Sequence, residues 1–110
     1  MNDMREVKRE VNGYTKGYNR RFRQVCDAIA SKHESAGLNN FSRLFDEKGM
    51  PVATMRMGII IEEVEALSLC ESQVENEALA KVIEDKLLDI AHYAIATVCE
   101  RRERKNPNEM

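Results

Sequence analysis

Tryptophan is absent from this chain, and proline and aromatic residues are scarce: two prolines, three tyrosines and three phenylalanines in 110 residues. A β-sandwich or barrel draws on aromatic and β-branched side chains and on frequent turns, so this composition argues against both. Cysteine is sparse too. Cys26, Cys70 and Cys99 form no Cys-x-x-Cys pair and no even-numbered framework, which excludes a disulfide scaffold and argues against structural zinc. They are expected as reduced, buried thiols. No apolar run approaches the roughly 18 residues of a membrane span, and Met1-Asn2-Asp3-Met4-Arg5-Glu6 lacks the apolar stretch of a signal peptide. The chain is therefore expected to be soluble and cytoplasmic. Neither sign of charge prevails, with 17 Lys and Arg against 19 Asp and Glu, which speaks against nucleic acid as the main partner. Gly-rich phosphate loops, nucleophile elbows and zinc spacings are missing as well.

What the chain does have is 33% charged and 43% hydrophobic residues, arranged at helical spacing. Its length suits one domain with a modest core. The expected organisation is an N-terminal arm over 1–15, a helical bundle domain over 16–103 and a disordered tail over 104–110. The arm carries Met4, Val7 and Val11 at helical spacing before Gly13. From about Lys16 to Ser35, Tyr18, Phe22, Val25, Cys26 and Ile29 fall on one side of a helix, and Gly37 is placed to stop it. Asn40 is placed to cap a short helix that puts Phe41, Leu44 and Phe45 on one face. Lys48-Gly49-Met50-Pro51 is the clearest break, with Pro51 opening a third helix that runs to about Cys70. Asn76 caps a long last helix ending near Arg102. The fold class read from this pattern is all-α, an antiparallel helical bundle. A small helical chain poor in aromatics completes its core by oligomerising, so a homodimer or tetramer is expected.

The third and last helices carry carboxylates inside apolar stretches. Met57, Ile60, Val64 and Leu67 form the main core face of the third helix, and a second stripe holds Ile59, Glu63, Ala66 and Cys70. Glu62 flanks that stripe and Glu65 turns further away. On the last helix Ile83, Leu87, Ile90, Ala94 and Val98 make the core face, and a second stripe holds Val82, Lys86, Asp89, Tyr93 and Ala96. Asp85 borders it. An ionised carboxylate in an apolar stripe is costly unless cations or donors compensate it. If the second stripes face each other, Glu63, Lys86 and Asp89 meet. Carboxylates one turn apart on neighbouring helices are also how bundles collect hard divalent cations.

The Glu62-Glu63 pair after three isoleucines, followed by Leu87-Leu88-Asp89-Ile90-Ala91-His92-Tyr93-Ala94, resembles the all-α nucleotide pyrophosphohydrolases of the MazG type. It resembles more closely their small phage-encoded relatives linked to nucleotide modification, which carry Asp-x-Leu-Leu-Asp-Leu-Ala-x-Tyr-Ala. Lys32-His33-Glu34-Ser35-Ala36-Gly37 is similar to their Lys-x-x-x-Tyr-Gly element, and Asn76-Glu77 to an Asn-Glu before the last helix. The likeness spans roughly residues 18–100 on short motifs. It implies a helical dimer or tetramer that binds Mg²⁺ and hydrolyses nucleoside triphosphates to monophosphate and pyrophosphate. The family's metal ligands follow Glu-Glu-x-x-Glu and Glu-x-x-Asp. Glu62, Glu63 and Asp89 match, but the third glutamate falls on Ala66 and the fourth on Lys86. Glu65 and Asp85 lie one position off.

The resemblance therefore implies two functions. In the first, Glu62, Glu63, Asp85 and Asp89 hold Mg²⁺, Glu65 orients water as a base, and Lys86 contacts phosphate. In the second, Lys86 has replaced the metal in a catalytically degenerate module that binds a nucleotide or a host protein. Lys32, His33, Asn39, Asn40 and Tyr93 are the further candidate nucleotide contacts, His33 and Tyr93 by stacking and the rest around the loop after the first long helix. His92 points away from the expected core face of the last helix.

Overall fold

The computed structural model describes residues 13–105, which form four α-helices and, among the described residues, no β-sheet. They are α1 (Lys16–Ser35), α2 (Phe41–Lys48), α3 (Met50–Glu71) and α4 (Glu77–Lys105). The all-α expectation holds, and the helix limits agree with the spacing to within a few residues. The expected arm over 1–12 and the end of the tail over 106–110 lie outside the described residues. Arg104 and Lys105 belong to α4 rather than to a disordered tail. No helix among the described residues is long and apolar enough to cross a membrane.

The chain divides into two compact units, residues 1–35 and 36–110, a division that falls inside the span read as one domain. In the first unit α1 begins where Thr15 Oγ1 accepts the Tyr18 N–H at 3.1 Å, a capping bond that satisfies a first-turn amide. Tyr14 and Tyr18 stack with centroids 4.4 Å apart. Of the apolar stripe expected on α1, only Ile29 is buried, while Tyr18, Phe22, Val25 and Cys26 are exposed.

The second unit is built on Phe41, Phe45 and Ala53, with Leu38, Val52, Met57, Tyr93 and Ala96 packed against them. Full burial of Phe41, 2% exposed, contributes on the order of 1.5–3 kcal/mol. Its ring meets Tyr93 edge-on, with centroids 5.3 Å apart. A single residue, Gly49, turns the chain from α2 into α3. Its φ of 72° and ψ of −151° lie in a region that L side chains avoid, and its N–H closes α2 on the Phe45 carbonyl at 2.8 Å. Pro51 then sits in the first turn of α3, where its missing N–H costs nothing.

Asn76 caps α4, its Oδ1 accepting the N–H groups of Ala78 at 2.9 Å and Leu79 at 3.3 Å. Asn40 behaves differently from expectation. It adopts the left-handed conformation, φ 57° and ψ 9°, and makes no side-chain cap bond. A capping side chain needs an extended backbone to reach the first-turn amides, and this one is committed to the turn between α1 and α2.

Residues 72–76 close α3 and α4 into an antiparallel hairpin. Two cross-helix bonds give its register: Glu63 meets Lys86 and Arg56 meets Tyr93. Seven residues back along α3 correspond to seven forward along α4, two turns on each helix, so the contact repeats in the manner of a shallowly crossed pair. The expected core face of α3 is right in that Met57, Ile60, Val64 and Leu67 are all half-buried. On α4 the assignment holds in part: Ile83 is buried and Ile90 half-buried, but Leu87, Ala94 and Val98 are exposed, while Lys86, Tyr93 and Ala96, from the second stripe, meet α3 or the core. Apolar residues run around most of α4, so periodicity alone does not select its packed face. The three cysteines are exposed rather than buried: Cys26 and Cys70 lie on stripes of α1 and α3 that stay largely exposed. His92, expected outside the core, is buried.

Candidate functional site

Two polar stations lie along the α3–α4 contact. At the first, Lys86 Nζ stands 3.2 Å from Glu63 Oε2, with side chains 27% and 48% exposed. The convergence of Glu63 and Lys86 is the one that the facing stripes predict. Asp89, one turn along α4, is half-buried, while Glu62, Glu65 and Asp85 are exposed. Among the described residues no three His, Cys, Asp or Glu side chains gather closely enough to hold a metal ion. The donor set explains this. Ala66 offers no ligand, and the Lys86 ammonium stands against the carboxylate that a dication would need. These residues do not fit a Mg²⁺ centre.

At the second station, two turns away, Arg56 reaches across from α3. Its Nη1 donates to Tyr93 Oη at 3.2 Å and to the Asn39 carbonyl at 3.4 Å. The guanidinium carbon lies 5.9 Å from the Phe41 ring centroid and 5.8 Å from that of Tyr93, within the range of cation–π attraction. Arg56 is half-buried and pairs with no carboxylate among the described residues. It thus ties Tyr93 to the loop of Asn39 and Asn40, three positions that sequence had named separately. Arg56 itself was missed, because its significance depends on an aromatic residue 37 positions away.

Lys32 and His33 lie in the last turn of α1, in the first unit, and both are exposed. Asn39 and Asn40 are also exposed, whereas Tyr93 is half-buried. The stations are separated by about 10 Å along the helices, seven residues at 1.5 Å each. Chemically, the arrangement presents two cations about 10 Å apart on one hairpin, one beside a carboxylate and one beside an aromatic hydroxyl. No family model, curated protein or solved structure matches the chain, so any family likeness rests on the residues quoted above.

Proposed function

We propose that this chain is a nucleotide-binding helical module of the MazG-like kind in which Lys86 stands in place of a metal ion. The observation that carries this reading is the 3.2 Å pair between Lys86 Nζ and Glu63 Oε2. An ammonium at that position neutralises the carboxylate and repels a dication. It also supplies three donors to phosphate oxygens. Both side chains keep contact with solvent, so the pair is worth only about 0–1 kcal/mol and opens at little cost. A nucleotide phosphate then exchanges with Glu63 for the ammonium. Arg56 and Tyr93, two turns along, provide a second cationic and aromatic contact at a distance comparable with the length of a nucleotide.

Calorimetric titration with Mg²⁺ and a panel of nucleotides, together with thermal shifts of the wild type and Lys86→Glu, tests the reading. The wild type is expected to bind a triphosphate without metal and to show no Mg²⁺-dependent stabilisation. Lys86→Ala should weaken nucleotide binding about tenfold, the loss of one charge-assisted contact. Lys86→Glu should be destabilised and then rescued by Mg²⁺, because it concentrates negative charge that only a cation relieves. Mg²⁺-dependent stabilisation of the wild type would overturn the reading in favour of the hydrolase, with Glu62, Glu63, Asp85 and Asp89 as ligands and Glu65 as base. No response of any variant to nucleotide or Mg²⁺ would leave a purely structural helical assembly.

A further inference from the structure

At the far end of the hairpin a cleft of about 360 Å³ opens between the last turns of α4 and the α2–α3 turn, lined by Phe45, Gly49, Met50, Arg101, Arg104 and Lys105. Its wall is held rigidly by Arg104. The Nη1 of that residue donates to the carbonyl and carboxylate of Glu100, and its Nη2 donates to Asp46 Oδ1 at 3.1 Å and to the Ser42 carbonyl at 3.4 Å. The guanidinium carbon lies 4.9 Å from the Phe45 ring centroid. Hydrogen bonding to Glu100 raises the Arg104 pKa above its ordinary value, so it stays cationic at every working pH. Asp46 and Glu100 balance this one charge. Arg101 and Lys105, one turn apart on the same side of α4, pair with no carboxylate among the described residues. Like charges at that spacing repel each other and weaken a helix.

Complementing the C-terminal dipole of α4 accounts for cations anywhere in its last turn, but not for two of them lining a cleft with an apolar floor. The opposite wall is the N-terminal end of α3, a 22-residue helix with no side-chain cap, whose dipole also favours negative charge. Gly49 adds no side chain there, and a Cβ on it would touch only Pro51, so the mouth stays open.

We propose that this cleft binds the phosphate group of a small phosphate monoester, with Arg101 and Lys105 contacting the phosphate oxygens and the organic group lying on Met50. Arg104 is a positioning residue, its Nη1 and Nη2 groups committed to Glu100, Asp46 and the Ser42 carbonyl. The site is separate from the Glu63–Lys86 station, being about 22 Å along α4 from Lys86 at 1.5 Å per residue.

Amide NMR titration of the full chain with phenyl phosphate tests this, run at about 0.15 M salt, where exposed charges are already screened beyond about 8 Å. Gly49, Met50, Arg101 and Lys105 should shift together and saturate. The double variant Arg101→Ser with Lys105→Ser should lose about tenfold or more in affinity, with its melting temperature little changed. Lys86→Ala should leave the titration as it is, which separates this site from the proposed nucleotide station. Inorganic phosphate should bind more weakly than phenyl phosphate, since it leaves Met50 uncovered. Equal binding of the two probes, shifts spread over all basic residues, an unaffected double variant, or loss of binding in Lys86→Ala would each overturn the proposal.

Discussion

Arg56 shows how one side chain organises a region. Two rings and two oxygens hold it, so replacing it removes cation–π attraction and hydrogen bonds at the same time. Arg56→Ala is expected to cost about 1–3 kcal/mol in chemical denaturation. Tyr93→Phe keeps the ring against Phe41 and removes only the acceptor, so its expected cost is about 1 kcal/mol. In the double variant the two losses should not add, because both remove the same bond. Full additivity would show that the Arg56–Tyr93 contact contributes nothing. The Glu63–Lys86 pair was legible in the sequence, since opposite charges on two half-apolar stripes have a reason to meet. Arg56 was not. Met55-Arg56-Met57 reads as one solvated charge within an apolar run, and only the fold brings Phe41 and Tyr93 to it.

At the scale of the elements, the punctuation was the most readable part. Asn76, Gly49 and Pro51 act locally, through capping, positive φ and a missing donor, so their effect does not depend on what packs around them. Asn76→Ala is accordingly expected to destabilise the chain by about 1 kcal/mol, measured as a lower denaturation midpoint with an unchanged slope. Asn40→Ala should lose no cap, since its side chain makes none; any cost there comes from placing Ala at positive φ and should be relieved in Asn40→Gly, whereas a cost that Asn40→Gly keeps would contradict the left-handed geometry. The packed face of α4 was less legible. Leu87 and Val98 are as apolar as Ile83, yet both are exposed, and a helix that is apolar on more than one side leaves the choice to its neighbours. Those neighbours are set by the α3–α4 register, which depends on residues far apart in sequence.

At the scale of the whole molecule, apolar surface is left uncovered along α3. Met55, Ile59, Ala66 and Leu69 recur along one side of α3 at helical spacing, with Glu62 among them, and all are exposed, Leu69 at 69%. This side faces away from Ala53, Met57, Ile60, Val64 and Leu67, the buried and half-buried face of α3, so closing the hairpin does not cover it. A row of this kind on a small chain marks an interaction surface. The occupant expected is a second copy of the chain, since a helix with an apolar row meets its own like across a two-fold axis with the same residues on each side. Light scattering at micromolar concentration should therefore give a dimer or tetramer. Ile59→Asp with Leu69→Asp should shift the mass to that of the monomer while circular dichroism keeps its helical signal, because neither residue lies in the Phe41–Phe45–Ala53 core. A wild type that runs as a monodisperse monomer would exclude self-association through this row. A double variant that stays oligomeric would move the contact to another surface.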